Sequence, residues 1–289
     1  MNKIYFENWD EILDIRYDRI FKAVFTKNTA SSNGALSRLI SALIDREVAV
    51  SSINANEPPI GDIHDRQIRF DINCKTGNGE LINVEMSLNP ESFEHVRLEF
   101  YIARLFSGQD IYGSDKVYDE LKEAYQITIL AKEKFFNDEE FLHTFEYYDP
   151  VNEKSLNGRS RIITIELSKL DKIVEKPVSA MSAQESWAVY FQYLTDREKR
   201  MKINEILKKE EGIAMASEVL INISKDEIER ARLTSELKYE LDTKSQLIYA
   251  EKKGEQKGEK KGHLEEKQKV IGLLKSGKSL EEIIKIYDA

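Results

Sequence analysis

The stretch from Arg69 to Leu88, RFDINCKTGNGELINVEMSL, constrains the fold more than any other part of the chain. Phe70, Ile72 and Cys74 alternate with Arg69, Asp71, Asn73 and Lys75. Further on, Ile82, Val84, Met86 and Leu88 alternate with Asn83, Glu85 and Ser87. Successive side chains point to opposite faces of a strand, so each arm has one apolar and one polar face. The pattern predicts a β-hairpin whose apolar faces share a core. A two-residue Asn78-Gly79 turn would set Asp71 against Met86 and mix the faces. A three-residue loop, Gly77-Asn78-Gly79, sets Thr76 against Glu80 and Asp71 against Glu85, with Gly79 supplying the left-handed position. A one-residue slip would turn a whole apolar set toward water.

Directly paired residues bring their Cβ atoms to roughly 4.5–5.5 Å, where like charges are destabilising by ~0.2–1 kcal/mol. Two carboxylates at that spacing suit a hard divalent cation. Mg²⁺ takes oxygen ligands, keeps several waters and needs only one or two carboxylates plus substrate phosphates. Periodicity alone leaves open the plainer alternative, in which both acids face solvent on an exposed sheet.

The hairpin resembles the PD-(D/E)XK nuclease superfamily, which carries an Asp on one strand and Glu-x-Lys on the next. More narrowly, the chain is similar to the bacterial Rpn-family recombination-promoting nucleases, or PD-(D/E)XK nuclease family transposases. The residues that carry this are Asp18, Phe21, Lys22 and Phe25 on an early helix, Asp71, Glu85-Met86-Ser87, and Arg97-Leu98-Glu99-Phe100-Tyr101. A glycine-spaced, Lys/Glu-rich carboxy-terminal stretch adds to it. The resemblance implies an α/β, restriction-endonuclease-like mixed sheet flanked by helices. It also implies Mg²⁺ (or Mn²⁺) held by Asp71, Glu85 and the Met86 carbonyl, catalysis by Asp71, Glu85, Ser87 and Asp18, and DNA contacts from Arg97 and Tyr101. Ser87 departs from the pattern, standing where the superfamily has Lys and this family usually has Gln. A serine can orient water but offers neither positive charge nor reach. The register sets Arg69 across from Ser87, which makes Arg69 a candidate replacement cation and substrate contact.

Composition bounds the rest. The 289 residues suffice for one large domain with an appendage. A third of them are charged, and no apolar run reaches the ~18 residues of a membrane span. The amino-terminal MNKIYFENWDEILDIRYDR carries acids where a signal peptide needs an apolar core, which predicts a cytoplasmic protein. Cys74 is the single cysteine, excluding an internal disulfide and any cysteine zinc cluster, and it falls on the apolar face as a small hydrophobe. The four histidines, His64, His95, His143 and His263, show no metal-ligand spacing. A net charge of −9 argues against global nucleic-acid affinity, so DNA binding requires a local basic groove.

Helical spacing predicts helices over 15–26, with Asp18 bordering the apolar face, over 34–46 and over 91–107. Thr29 to Asn33 reads as a polar loop. Asp18 either faces the hairpin as a third acid or favours the helix amino end; Lys22 reads as a solvated or snorkelling side chain. On 91–107, Arg97, Tyr101 and Arg104 share one face, and Phe93, Val96, Phe100, Leu105 and Phe106 occupy the others. Arg97 either contacts phosphate or pairs with a hairpin carboxylate. Strands follow at 125–130, 141–147 and 161–167.

Three regions result: a nuclease-like domain at 1–175, a helical region at 176–250, and a Lys/Glu/Gly-rich linker with a short two-helix tail at 251–289. The helical region could be a lid, a homo-oligomerisation arm or simple packing. Ser224-Lys225-Asp226-Glu227 reads as a capping box opening a long polar helix. Gly277 should end the first tail helix, with Ser279 capping the second. The expected activity is metal-dependent DNA endonuclease cleavage associated with recombination or transposition. The competing expectation, from Ser87 and the acidic charge, is a catalytically weakened module that binds DNA or protein.

Overall fold

The computed structural model describes residues 4–54, 70–90, 93–109, 117–132, 134–277 and 279. Two helices lead, α1 (Asp18–Thr26) and α2 (Ala30–Leu43). In α1 the apolar stripe Ile20, Phe21, Val24 and Phe25 is buried as its spacing requires. The Thr29–Asn33 stretch is a helix start rather than a loop. Thr29 is the N-cap, its hydroxyl accepting from the Ser32 N–H at 3.1 Å.

A short strand, β1 (Val50–Ile53), precedes β2 (Ile72–Thr76) and β3 (Leu81–Ser87). Next come α3 (Glu94–Ser107), β4 (Ala124–Leu130), β5 (Leu142–Phe145), a small hairpin of β6 (Tyr148–Asp149) and β7 (Lys154–Ser155), and β8 (Ser160–Glu166). Six strands form one mixed sheet in the order β1-β2-β3-β4-β8-β5. β3, β4 and β8 run parallel, with α3 as the crossover between the first two.

The hairpin adopts the expected register: Ile72 faces Val84, Asn73 faces Asn83 and Cys74 faces Ile82. The Thr76 N–H donates to the Glu80 carbonyl at 3.0 Å, and Gly79 has φ +88°. A side chain at Gly79 would be strained there, which explains the glycine. Continuing the register one residue sets Asp71, in the bend before β2, against Glu85.

The sheet has two different faces. Ile72, Cys74, Ile82, Val84, Met86, Ile127, Ile129, Ile163 and Ile165 join the main core with α1, α2 and the later helices. Burial pushes the Cys74 thiol up to about 12, as befits a buried hydrophobe. The opposite face is covered by α3 through a smaller cluster of Phe70, Ile102, Leu105 and Ala124. Phe70 therefore belongs to the α3 side rather than to the hairpin's apolar set. On α3 itself Leu98, Ile102 and Leu105 are buried, whereas Phe93, Val96 and Phe100 are exposed.

The carboxy-terminal helices are α4 (Asp171–Val174), α5 (Ala183–Tyr193), α6 (Arg200–Lys209), α7 (Glu211–Lys225) and α8 (Glu227–Lys275). Trp187, Tyr190 and Phe191 of α5, and Ile213, Ala216 and Leu220 of α7, are buried in the main core. These two stripes therefore serve packing, as far as Leu233. The cap of α8 is Asp226, whose carboxylate accepts from the Ile228 and Glu229 N–H groups at 3.0 and 2.9 Å. Ser224 instead accepts from the Leu13 N–H.

The chain forms two compact units, Met1–Leu233 and Thr234–Ala289. The 251–262 stretch, read above as a linker, is helical within α8. Lys, Glu and Gln propagate helix well enough to carry three glycines at ~1 kcal/mol each, helped by pairs such as Lys261–Glu265. Gly277, with φ +88°, follows the helix end as expected. The second tail helix, apart from Ser279, lies outside the described residues, as do Arg69 and His64. Among the described residues no helix is long and apolar enough to cross a membrane.

Candidate active site

Glu85 lies on the sheet face opposite the main core, and Asp71, one residue beyond the Ile72–Val84 pair, stands beside it at the end of the hairpin away from its turn. Glu85 is buried, retaining only 2% exposure, and the Asp71 side chain is partly buried at 17%. Burial first, and then repulsion from Asp71, pushes the Glu85 carboxyl up to about 8. Burial, followed by repulsion from Asp18, raises Asp71 to about 6. Two causes thus act together, desolvation and a like-charged neighbour.

Each acid is met by a cation from a flanking helix. Lys22 of α1 places Nζ 3.0 Å from Asp71 Oδ1 and 3.0 Å from Asp18 Oδ1. Lys22, read from the sequence as solvated or snorkelling, thus bridges two of the candidate acids. The i, i+4 spacing to Asp18 was visible in the sequence, but the contact between α1 and the hairpin was not. Asp18 itself is both the first residue of α1 and a third acid at the site. On the other side, Arg97 of α3 lies 3.3 Å from Glu85 Oε2 and 2.6 Å from Glu94 Oε1. Arg97 thus pairs with a hairpin carboxylate. Glu94, buried and three residues before Arg97, is a fourth acid that sequence reasoning missed.

Among the described residues, four carboxylates (Asp18, Asp71, Glu85, Glu94) thus surround two cationic side chains (Lys22, Arg97), an excess of two negative charges when all four acids are ionised. Buried unbalanced charge is costly, and one divalent cation would neutralise this excess. The donor set is all oxygen, which suits Mg²⁺ or Mn²⁺ rather than a thiophilic metal.

A row of buried amides and hydroxyls fixes the Glu85 carboxylate. Asn83 Nδ2 donates to Glu85 Oε1 at 2.9 Å and to Gln126 Oε1 at 2.8 Å, and Gln126 Nε2 donates to Thr128 Oγ1 at 3.0 Å. These residues share a face because β3 and β4 pair Asn83 with Gln126 and Glu85 with Thr128.

The remaining expected residues fall nearby. The Met86 N–H donates to Asp71 Oδ2 at 3.2 Å and so orients that carboxylate. Tyr101 packs edge-on against Phe70 with ring centroids 5.6 Å apart, and the Arg97 guanidinium lies 5.3 Å from the Tyr101 ring. Burial and the Glu85 charge raise the Tyr101 phenol, keeping it neutral. Ser87 closes β3 beside Leu130, partly exposed. A separate group comes together at β5 and β8. Asp138, His143 and Glu166 offer ligand atoms within 4.8 Å of one another, although no sequence spacing announced it. There the buried Lys169 ammonium already lies 2.7 Å from both Asp138 and Glu166.

A mixed sheet with paired acids on adjacent strands and a helix carrying an arginine across them is the architecture of the restriction-endonuclease-like nucleases. The family model for "PD-(D/E)XK nuclease family transposase" matches residues 15–250, and the chain belongs to that family. Neither a curated protein nor a solved structure matches it.

Proposed function

We propose that the protein is a divalent-metal-dependent DNA endonuclease acting in recombination or transposition. The observation that carries this reading is the opposition of Asp71 and Glu85 across the hairpin, in a cluster where, among the described residues, four carboxylates meet two cationic side chains. Asp71, Glu85 and the Met86 carbonyl would hold Mg²⁺ or Mn²⁺. Such an ion supplies Lewis-acid polarisation of a phosphoryl oxygen and a lowered pKa for bound water.

The chain's own groups account for the rest. Met86 N–H and Asn83 hold the two carboxylates in orientation. Lys22 brings to the site the positive charge that Ser87 lacks, and Ser87 can hydrogen-bond water or phosphate oxygen. Arg97 is placed to stabilise charge building on phosphoryl oxygens, and Tyr101 beside it to contact the sugar–phosphate backbone. Arg69, a substrate contact expected from the sequence register alone, lies outside the described residues. All these groups fall within 1–175, which we assign as the catalytic domain, with 176–250 as a helical region whose α5 and α7 join the same core. The membership in a nuclease transposase family supports DNA as the substrate, and such work is done in the cytoplasm. The homo-oligomer expected from the carboxy-terminal helices has no support in the described residues.

Plasmid nicking tests the reading. Supercoiled DNA should be nicked by the wild type in Mg²⁺ or Mn²⁺ and left intact in EDTA. Asp71→Ala and Glu85→Ala should each lower the rate by at least ~10²–10³-fold, the scale of losing a charge-stabilising group. Nicking that persists in both variants would sink it. No nicking in any metal would favour the second reading, a DNA- or protein-binding module weakened by Ser87.

A further inference from the structure

We propose that the aromatic cavity between α3 and β8 takes a single unstacked nucleobase bearing an exocyclic amino group, delivered by the DNA strand engaged at the Asp71–Glu85 site. The strand's presence rests on the nuclease reading; the cavity's chemistry does not.

The cavity measures about 300 Å³, at the small end of ligand pockets, and four aromatic side chains line it: Phe135, Phe136, Phe145 and Tyr147. Phe136 is held in place by rings on two sides, with centroids 4.8 Å from His143 and 5.3 Å from Phe145. A flat π-surface already fixed by packing is what base stacking uses, and stacking tolerates any base.

The polar groups narrow the occupant. Among the described residues lining the cavity there is no lysine or arginine, so a phosphate gains nothing by entering. Its carboxylates are Glu99 and Glu146. Glu146 also faces Arg161 at 3.7 Å, whereas Glu99 makes no ion pair among the described residues. A carboxylate only accepts hydrogen bonds. Adenine, cytosine and guanine each carry a two-hydrogen exocyclic amino donor, whereas thymine offers only its single ring N3–H.

The cavity's position matches this use. Its floor residue Ile162 stands in one cross-strand row with Gln126 and Asn83, on the face that carries Glu85. Two strand spacings separate Ile162 from Asn83, roughly 10 Å. The two sites also share the first turn of α3, where Glu94 binds Arg97 and the next residue, His95, lines the cavity. A strand held at the acids therefore passes within reach, and an unstacked base costs least when the substrate is single-stranded.

The test is fluorescence anisotropy of labelled dA, dC and dT oligonucleotides about 12 nucleotides long, within single-strand site sizes, on the full chain with Ca²⁺ replacing Mg²⁺. The wild type should bind dA and dC more tightly than dT. Phe136→Ala should weaken all three, by about tenfold for a lost stacking partner. Glu99→Ala, at an exposed position, removes the acceptor, leaves the fold intact and should erase the preference over dT. Should the oligonucleotides bind the wild type and both variants alike, the cavity assignment is wrong and the nuclease reading stands. Absence of binding to the wild type would overturn the cavity assignment, and plasmid nicking judges the nuclease reading separately.

Discussion

Replacing Lys22 with methionine should lower metal-dependent nicking by about 10²–10³-fold and leave the chain folded. The side chain keeps its length and apolar stem while losing the ammonium between Asp71 and Asp18. Burial works against the charge on Lys22, yet these two acids hold its pKa above the ordinary lysine value, so it is fully protonated at neutral pH. Superfamily members place this charge two residues after the hairpin Glu, where the present chain has Ser87. If Lys22 replaces it from α1, the double variant Lys22→Met with Ser87→Lys should recover at least ~10-fold of the lost rate. Nicking rates of the two single variants and the double variant decide the matter. A Lys22→Met protein that cleaves like the wild type would remove the lysine from the mechanism.

The second large effect is on stability, in metal-free protein. The folded Glu85 carboxyl is pushed up to about 8 and Asp71 to about 6, against ordinary carboxylate values near 4. Between those limits the folded state holds protons that the unfolded chain has released. Unfolding therefore releases protons, and stability falls as pH rises from about 4.5 through 8. Arg97, Asn83 and Lys22 oppose the shift but do not cancel it. Glu85→Gln removes the ionisable group with little change of shape. It should stabilise the metal-free protein at pH 8.5 by on the order of 1–3 kcal/mol, several degrees in Tm, and have little effect at pH 5. Thermal denaturation in EDTA at the two pH values checks this. A Glu85→Gln protein less stable than the wild type at pH 8.5 would show that the carboxylate is well compensated and not in excess.

The parts of this site visible in the sequence were those encoded locally. The hairpin register followed from alternation and a glycine turn, because both act within twenty residues. The pairing of Asp71 with Glu85 followed from the register. Lys22 and Glu94 escaped because their partners come from other elements. Lys22 meets Asp71 only once α1 docks against the hairpin, and Glu94 meets Glu85 only through Arg97. The β1 strand escaped for a different reason. Its sequence, Val-Ser-Ser-Ile, is short and half polar, as an edge strand can be, and its pairing with β2 is interrupted by a bulge. The Asn83–Gln126–Thr128 row was written as polar alternation on strands that turn out buried on both faces. Burial turned that ordinary polar face into a hydrogen-bonded support.

Everything depends on the excess charge at the hairpin acids being answered by a divalent ion. Titration of Mn²⁺ into the full chain, followed by electron paramagnetic resonance of the free ion, measures that directly. The wild type should bind Mn²⁺, and Asp71→Asn and Glu85→Gln should each weaken binding by about tenfold or more, while Asp138→Asn leaves it unchanged. Binding that survives both hairpin substitutions, or that disappears only with Asp138, would place the ion at the β5–β8 group and contradict the assignment.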